Sequence, residues 1–166
     1  EIVMEEYLSK TRIQLEMSNE LELKISIKNF NFQYPANILG FEVIYNPDVI
    51  SVISQSSGVY GDPSFSLTDD NSDYISVAFI GDFKGSGELI KFQFEGSDSD
   101  YEYTTIFLTW ITIFDSRGDQ IHFEENEFIQ ESVCYIDRHP TNGEEFGSFS
   151  WRKDYCYPLN YSLFGN

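Results

Sequence analysis

The residues that could do chemistry in this chain are mostly acids, and they form no recognised catalytic motif. Among 166 residues there are 28 Asp and Glu, two His and two Cys. Neither His122 nor His139 lies near a nucleophile motif such as Gly-x-Ser-x-Gly, and no Cys/His cluster has zinc spacing. The paired carboxylates of a glycosidase are an enzyme alternative, although no spacing singles out a pair. We therefore expect a protein that is not an enzyme and has no catalytic residues.

One acidic segment is a candidate for a bound cation. Asp69-Asp70-Asn71-Ser72-Asp73 offers carboxylate and amide oxygens at alternate positions, as at the start of a calcium loop. However, Tyr74 stands where an EF-hand loop needs Gly, and Ile80 stands where it needs the bidentate Glu. We therefore interpret the segment as a solvated acidic turn and expect no metal or cofactor on this chain.

The two cysteines, Cys134 and Cys156, lie on either side of a loop-like segment. Such a pair is either two buried thiols or one disulfide. We favour the disulfide because the segment between them has little else to hold it. Closing a loop of this size contributes roughly 3 kcal/mol in the chain-entropy model, and the bond implies an oxidising compartment.

The formal net charge of −18 limits the partners that the chain attracts. Such a field repels nucleic-acid phosphates and anionic lipid, so we expect neither as a partner. No apolar run has the length of a transmembrane helix, so we expect no membrane insertion. The acidity is interpreted as keeping an extracellular or cell-surface β protein soluble. The alternative is a partner with a basic or polar docking face, or bound cations.

Short stretches of period-two alternation predict an all-β protein with eight to ten strands, hence a β-sandwich or jelly roll. Phe and Tyr are abundant, and aromatic side chains pack well on pleated surfaces. Loops are predicted at 29–37, 55–63 and 81–87, and a turn at 115–119. The alternation predicts these inward residues: Leu21, Leu23, Ile25, Ile27, Phe41, Val43, Tyr45, Ile75, Val77 and Phe79.

Two apolar segments are harder to interpret. Phe65 and Leu67 mark a short strand, with Ser66 and Thr68 on its opposite face. The long strand at 103–114 breaks its alternation at Trp110-Ile111, which predicts a β-bulge or burial on both faces. Trp110 is interpreted as a core residue. Aromatic rings on a sandwich face also stack on sugars, so a carbohydrate-binding module is an alternative, as is an adhesin-type structural domain.

The pattern changes near residue 137. We predict a sandwich over 1–136 and, over 137–166, an irregular aromatic C-terminal extension that packs on the same domain. The extension contains aromatic residues such as Phe146, Trp151 and Tyr155. It has too many aromatics for a simple linker.

Several segments, in order, resemble those of cohesin domains, the scaffoldin or cell-surface modules that bind dockerins. Phe41-Glu42-Val43-Ile44-Tyr45-Asn46-Pro47-Asp48-Val49-Ile50-Ser51-Val52 is similar to the family's F-x-L-x-Y-D-P-x-x-L-x-V. Phe114-Asp115-Ser116-Arg117-Gly118-Asp119-Gln120-Ile121 is similar to its F-x-D-x-x-G-x-x-I ending. The second strand of the family resembles residues 23–27. Its strand with an acidic Gly-rich loop resembles residues 75–87, and the apolar strand that follows resembles residues 89–95. The resemblance covers residues 12–136.

The resemblance implies a nine-stranded jelly roll with a non-catalytic docking function. The partner implied is a dockerin of an extracellular, cellulosome-type complex that degrades polysaccharides. Calcium would belong to the dockerin and not to this chain, which we expect to be a monomer.

Cohesins bind dockerins on one sheet face, with their third, fifth, sixth and eighth strands. The partner-binding positions implied here are Glu42, Ile44, Asn46, Ser66, Thr68, Ser76, Ala78, Ile80, Gly81, Asp82 and Phe83. Ile44 and Ile80 have the character of interface anchors, or else are scattered surface residues or a layer under the extension. Asn46 replaces the family's Asp, which changes one charged contact to an amide.

Overall fold

Two β-sheets enclose a single core in the computed structural model, which describes residues 4–18, 20–68, 74–96, 103–123, 128–129, 132–138 and 148–152. The predicted all-β sandwich is confirmed, although the described residues form eleven strands and not nine. The elements are α1 (Met4–Ser9), β1 (Thr11–Met17), β2 (Glu22–Phe30), β3 (Ala36–Ile44), β4 (Ile50–Ser57), β5 (Phe65–Thr68), β6 (Tyr74–Phe83), β7 (Gly85–Gly96), β8 (Tyr103–Asp115), β9 (Phe128–Ile129), β10 (Ser132–Arg138) and β11 (Ser148–Arg152).

The strand order defines a first and a second sheet. The first sheet has the order β4-β7-β2-β1-β9, and the second has the order β11-β10-β8-β3-β6-β5. All pairings are antiparallel except that of β1 with β9. Neighbours in the sheets are mostly not neighbours in the chain, so the fold depends on long-range pairing.

Alternating apolar side chains fill the core, as the period of two requires. Every inward residue predicted for the strands around 21–27, 41–45 and 75–79 is buried. Aromatic rings join the two sheets. Tyr45, just after β3 in the second sheet, packs edge-on against Phe94 of β7 in the first, with ring centroids 5.4 Å apart. Burying these side chains is the main favourable term for a fold of this size.

Two short connections carry the chain between the sheets. The corner at Asn46-Pro47-Asp48 links β3 of the second sheet to β4 of the first, and the carbonyl of Asn46 accepts hydrogen bonds from the N–H groups of Val49 and Ile50. Lys84 alone separates β6 from β7, and Gly85 follows with a φ of 69°, a backbone conformation that favours glycine. The predicted loops are therefore shorter than expected: β3 begins at 36, β4 runs to 57, and strands occupy most of 81–87.

The C-terminal part of the chain contributes strands to the second sheet. Strand β10 pairs with 103–107 of β8, and β11 pairs with β10. Strand β11 lies within the predicted extension, so this part of it is regular and extends the sheet. The division at residue 136 stays a prediction. Cys134 lies in β10, but its side chain and Cys156 fall outside the described residues, so the disulfide also stays a prediction.

The single described helix, α1, precedes β1 and was not expected from the sequence. The described residues contain no helix with the length and apolar character needed to span a membrane.

Candidate docking face

The outward face of the second sheet is built by β8, β3, β6 and β5, and strand register defines its rows. Residues directly opposite one another in antiparallel strands share a face. Core residues such as Val43 and Val77 occupy every second position of these strands, so the residues between them point away from the core. From β8 towards β5 the rows are Thr109–Glu42–Ser76–Leu67, Thr112–Gly40–Ala78–Phe65 and Phe114–Ile38–Ile80. We call this surface the β8–β3–β6–β5 face.

Four of the residues implied by the resemblance lie on this face and are accessible at least in part. Glu42 is on β3, and Ser76, Ala78 and Ile80 are on β6. Ile80 is the most exposed of them, with 69% of its surface accessible. The structure brings these four side chains to one surface, and their contact with a partner stays a prediction.

Ile44 lies on the same face but is not accessible. It is opposite Phe107 of β8 and Tyr74 of β6. Ile44 is only 8% exposed and Phe107 only 2% exposed, although neither belongs to the main core cluster of described residues. Thr109 in the next row is also buried. This end of the face is closed, so the expectation that Ile44 is an exposed anchor is wrong.

Asn46 lies beyond the end of β3 and holds the corner. Its side-chain Oδ1 accepts a hydrogen bond of 3.0 Å from the N–H of Asp48. An Asn oxygen bonded to the backbone two residues later is an Asx turn, which fixes the chain direction locally. The structure therefore gives the Asn46 carboxamide a structural role, and its role in docking stays a prediction.

Ser66 of β5 is not on the outward face, and the expectation for Ser66 is wrong. Ser66 is opposite Val77, which faces the core. The side chain of Thr68 lies outside the described residues, so its contact with a partner stays a prediction. The hydroxyl of Ser66 donates to Oε1 of Gln55, on β4 of the first sheet, at 3.2 Å. The register instead places Phe65 and Leu67 on the outward face.

The segment Gly81-Asp82-Phe83 belongs to β6 and not to a loop. Gly81 and Asp82 are exposed, whereas Phe83 is only 1% exposed. Phe83 keeps the inward phase of Val77 and Phe79, and its ring occupies the space beside Gly81, where a Cβ would lie 3.3 Å from Cζ of Phe83. The expectation that Phe83 binds a partner is therefore wrong, because Phe83 is a core residue.

Tyr60 closes the core next to Phe83. The two ring centroids are 5.1 Å apart, and the Tyr60 hydroxyl donates to the carbonyl of Lys84 at 3.4 Å. Burial raises the pKa of Tyr60 above its usual value, and the negative charge of Asp82 adds to the effect. This end of β6 is therefore a packed junction between the sheets.

Five exposed apolar residues form what we call the open end of the face. They lie in or next to the rows that contain the small residues Gly40 and Ala78. Sequence reasoning placed only Ile80 among them. They are Ile38, Phe65, Leu67, Ile80 and Trp110.

Trp110 is exposed because β8 carries a bulge at this residue. Glu42 is opposite Thr109, whereas Gly40 is opposite Thr112, so β8 has one residue more than β3 between these pairs. The backbone of Trp110 has a φ of 53°, which is unusual for a residue other than glycine. Trp110 is 55% exposed, whereas Ile111 is buried in the core. The predicted bulge is confirmed. The interpretation of Trp110 as a core residue is wrong, since the bulge excludes its side chain from the interior.

The turn after β8 is stabilised by Asp115. Its Oδ1 accepts hydrogen bonds from the N–H groups of Arg117 (2.8 Å) and Asp119 (3.1 Å). Burial alone would raise the pKa of Asp115, but these hydrogen bonds and the Arg117 charge outweigh it, and the pKa is lowered. The Arg117 guanidinium also lies over the ring of Tyr34, 3.8 Å from its centroid. The predicted turn at 115–119 is confirmed.

Charge is sparse on the β8–β3–β6–β5 face. Glu42 is the one charged residue in its three rows, and Asp82 lies beyond them, 3.5 Å from Nζ of Lys84. The first sheet differs, because β1 and β2 carry ion pairs such as Lys24 with Glu16, at 3.2 Å. Exposed pairs of this kind contribute little stability and mark a solvated surface. The apolar face is therefore the candidate for binding.

No group of three metal-ligating side chains occurs among the residues whose side chains the structure describes. The acidic segment at 69–73 and His139 lie outside that part of the chain.

Comparison with protein-family models and with characterised proteins found no match in sequence. Comparison of structures found cohesin modules. A non-cellulosomal cohesin from the archaeon Archaeoglobus fulgidus matches with a TM-score of 0.55 and 17% identity, covering 74% of this chain and 88% of that one.

Two further matches are cohesin–dockerin complexes. The Coh-OlpC-Doc435 complex of Clostridium thermocellum matches at 13% identity and a TM-score of 0.57, covering 75% of this chain and 92% of that one. The third cohesin ScaC of Acetivibrio cellulolyticus, in complex with the ScaB dockerin, matches at 15% identity and a TM-score of 0.59, covering 74% and 96%. This chain has the cohesin fold. The resemblance seen in the sequence is therefore confirmed at the level of the fold.

Proposed function

We propose that this chain is a non-catalytic docking module that binds a dockerin through the β8–β3–β6–β5 face. The observation that carries the proposal is the open end of that face, where five exposed apolar residues occur on neighbouring strands of a cohesin fold. Scattered apolar residues are normal on a protein surface, whereas a contiguous patch marks an interaction site.

The proposal revises the set of contact residues implied by the sequence. Glu42, Ser76, Ala78 and Ile80 are retained because they lie on the face. Gly81 and Asp82 are retained at its border because they are exposed. Asn46 is kept as a contact at the closed end. The new contacts are Ile38, Phe65, Leu67 and Trp110.

The setting proposed is extracellular or on the cell surface, with the dockerin on an enzyme or scaffoldin and calcium bound by the dockerin. The excess of acidic residues suits a partner with basic residues around an apolar centre, because opposite charges accelerate encounter. A cellulosome is one such assembly. A cohesin fold also occurs in the non-cellulosomal protein of A. fulgidus.

Titration calorimetry of the full chain against the dockerins encoded in the same genome tests the proposal. We expect at least one dockerin to bind in the presence of calcium and to lose binding when EDTA is added. EDTA should leave the circular dichroism spectrum of this chain unchanged, since the calcium belongs to the partner. Absence of binding to every dockerin of the panel would refute the docking function.

A carbohydrate-binding module is the second candidate, and the exposed indole of Trp110 favours it because rings of this kind stack on sugars. The surrounding rows are mixed, since Gly40, Ala78 and Phe65 provide no side-chain hydrogen bonds for hydroxyl groups, whereas Thr112, Ser76 and Glu42 carry groups that can form them. Affinity gels with cellulose, xylan and pectin separate the two functions. Retarded migration would support carbohydrate binding, whereas unchanged migration would leave docking as the explanation.

A further inference from the structure

Strand β4 is an open edge of the first sheet. Among the described residues the two sheets end at four edge strands, which are β4, β9, β5 and β11. Strand β9 has two residues, β5 has four, and β11 ends in the charged Arg152. Strand β4 has eight residues, and all of 53–57 are exposed. The unpaired backbone groups of such an edge can pair with a further strand.

This edge is uncharged, although the chain as a whole is strongly acidic. Residues 49–61 contain no Asp, Glu, Lys or Arg, whereas 23% of the chain is charged and its net charge is −18. Edge strands are commonly protected by a charge, a proline or a bulge, and β4 has only a bulge, at Ile53. Beyond the bulge, residues 54–57 pair in regular register with β7. This part of the edge is therefore open to pairing.

Polar contacts hold the same part of β4 in an extended form. The hydroxyl of Ser66 donates to Oε1 of Gln55 at 3.2 Å, and the hydroxyl of Ser57 donates to Oδ1 of Asp62. The N–H groups of the next two residues, 58 and 59, donate to carbonyl groups of β7. A strand that is already ordered loses little conformational entropy when another strand pairs with it.

A second copy of this chain is the partner that fits this edge. Two chains of charge −18 repel each other wherever their acidic surfaces meet, and the repulsion is least where both surfaces are uncharged. Strand β4 of a second copy is itself extended, exposed and uncharged, and serine side chains hydrogen-bond across paired strands. A two-fold axis makes such a contact self-complementary. The stretch 53–59 is centred on Ser56.

We propose that two copies of this chain associate through their β4 edges, antiparallel about a two-fold axis near Ser56. The contact is small and therefore weak, with a dissociation constant of about 0.1–1 mM. The chain is then a monomer in dilute solution and pairs where copies are concentrated. The two first sheets join into one continuous sheet, and the β8–β3–β6–β5 face in the second sheet stays uncovered. The pairing does not depend on the proposed docking function.

Sedimentation equilibrium of the full chain at concentrations up to about 2 mM tests the pairing. We expect a monomer–dimer equilibrium whose association constant rises by about threefold between about 50 and 500 mM salt, because salt screens the repulsion between the two acidic chains. Association through ion pairs would weaken with salt instead. A chain that stays monomeric over this range, or that associates less in high salt, would overturn the proposal.

Ser56→Glu distinguishes the β4 edge from the rest of the surface. Ser56 is opposite Lys91 of β7, so the new carboxylate lies beside a cation and the fold accepts it. In the dimer two such carboxylates meet near the axis, and we expect association to weaken by about tenfold or more. Ser116→Glu is the matched control, because it adds the same charge at an exposed residue of the turn after β8. It should change association by less than about twofold.

Hydrogen exchange followed by mass spectrometry needs no variant. The amides of 54–57 should exchange more slowly at about 1 mM than at about 10 μM, whereas those of the other exposed edge, 65–67, should not change. Concentration-dependent protection at 65–67 in place of 54–57 would overturn the assignment to β4. Dimers that persist in Ser56→Glu and disappear in Ile80→Glu would also overturn it, because the contact would then lie on the β8–β3–β6–β5 face.

Discussion

Phe83 and Ile80 lie three residues apart on β6, and the structure gives them opposite roles. Phe83 is 1% exposed, with its ring centroid 6.3 Å from that of Phe79 and 5.1 Å from that of Tyr60. Ile80 lies on the open end of the face. We therefore predict that Phe83→Ala mainly lowers stability, whereas Ile80→Ala mainly weakens docking.

The expected loss of stability in Phe83→Ala follows from the burial of the Phe83 side chain. Replacing a fully buried Phe by Ala costs about 3–5 kcal/mol, because the transfer free energy is lost and a cavity remains. With a slope of about 2 kcal/mol per M urea, the midpoint of unfolding falls by about 1.5–2.5 M. Ile80→Ala removes an exposed side chain and should change the free energy of unfolding by less than about 0.5 kcal/mol.

Urea unfolding followed by circular dichroism measures the stability of both variants, and calorimetry at low temperature measures docking. The folded fraction of Phe83→Ala should bind the dockerin within about twofold of the wild type, since its side chain does not reach the face. Our interpretation of β6 would be refuted if Phe83→Ala kept the wild-type midpoint and lost docking, as a loop residue in the interface would.

Two further predictions concern polar groups that hold turns. The lowered pKa of Asp115 means that its charged form stabilises the fold above its unfolded pKa of about 3.9, and that this contribution is lost as the pH falls through the lower folded pKa. Urea midpoints measured from pH 7 to pH 2 should therefore fall less steeply below pH 4 in Asp115→Asn than in the wild type, and equal slopes would contradict the assignment. Asn46→Ala removes the acceptor for the N–H of Asp48 and should lower the free energy of unfolding by about 1 kcal/mol. Asn46→Asp keeps an acceptor oxygen and is the control, so equal losses in both variants would argue against the Asx turn.

Whether sequence reasoning gave the right outward orientation for a residue depends on how strongly the strand alternates. Glu42, Ser76 and Ala78 were placed correctly because they sit in strands where one set of alternate residues is strongly apolar. Strand β5 has only four residues, and Phe65 and Leu67 were assumed to face inward because they are apolar. Its pairing with β6 decides otherwise, and an offset of one residue reverses the faces of a strand.

Trp110 illustrates the limit of a local pattern. The break in alternation was visible and correctly predicted a bulge, since two consecutive large apolar residues cannot both follow a period of two. Which of Trp110 and Ile111 enters the core depends on where β3 pairs with β8, and that pairing joins residues about 70 positions apart. The prediction that Phe83 lies in a binding loop was wrong for a related reason. The neighbouring Gly81 suggested a loop, whereas strand β6 continues past it to Phe83.

From the sequence alone it follows that the chain is an all-β sandwich, which strand faces in 21–27, 41–45 and 75–79 are buried, and where the corner at Asn46 lies. These features depend on side-chain periodicity and turn chemistry, which are local properties of the chain. Only the tertiary structure decided that Ile44 is buried, that Phe65 and Leu67 face outward, and that Trp110 is exposed beside Gly40. Those features depend on register between distant strands, and register is set by the packing of the whole sandwich.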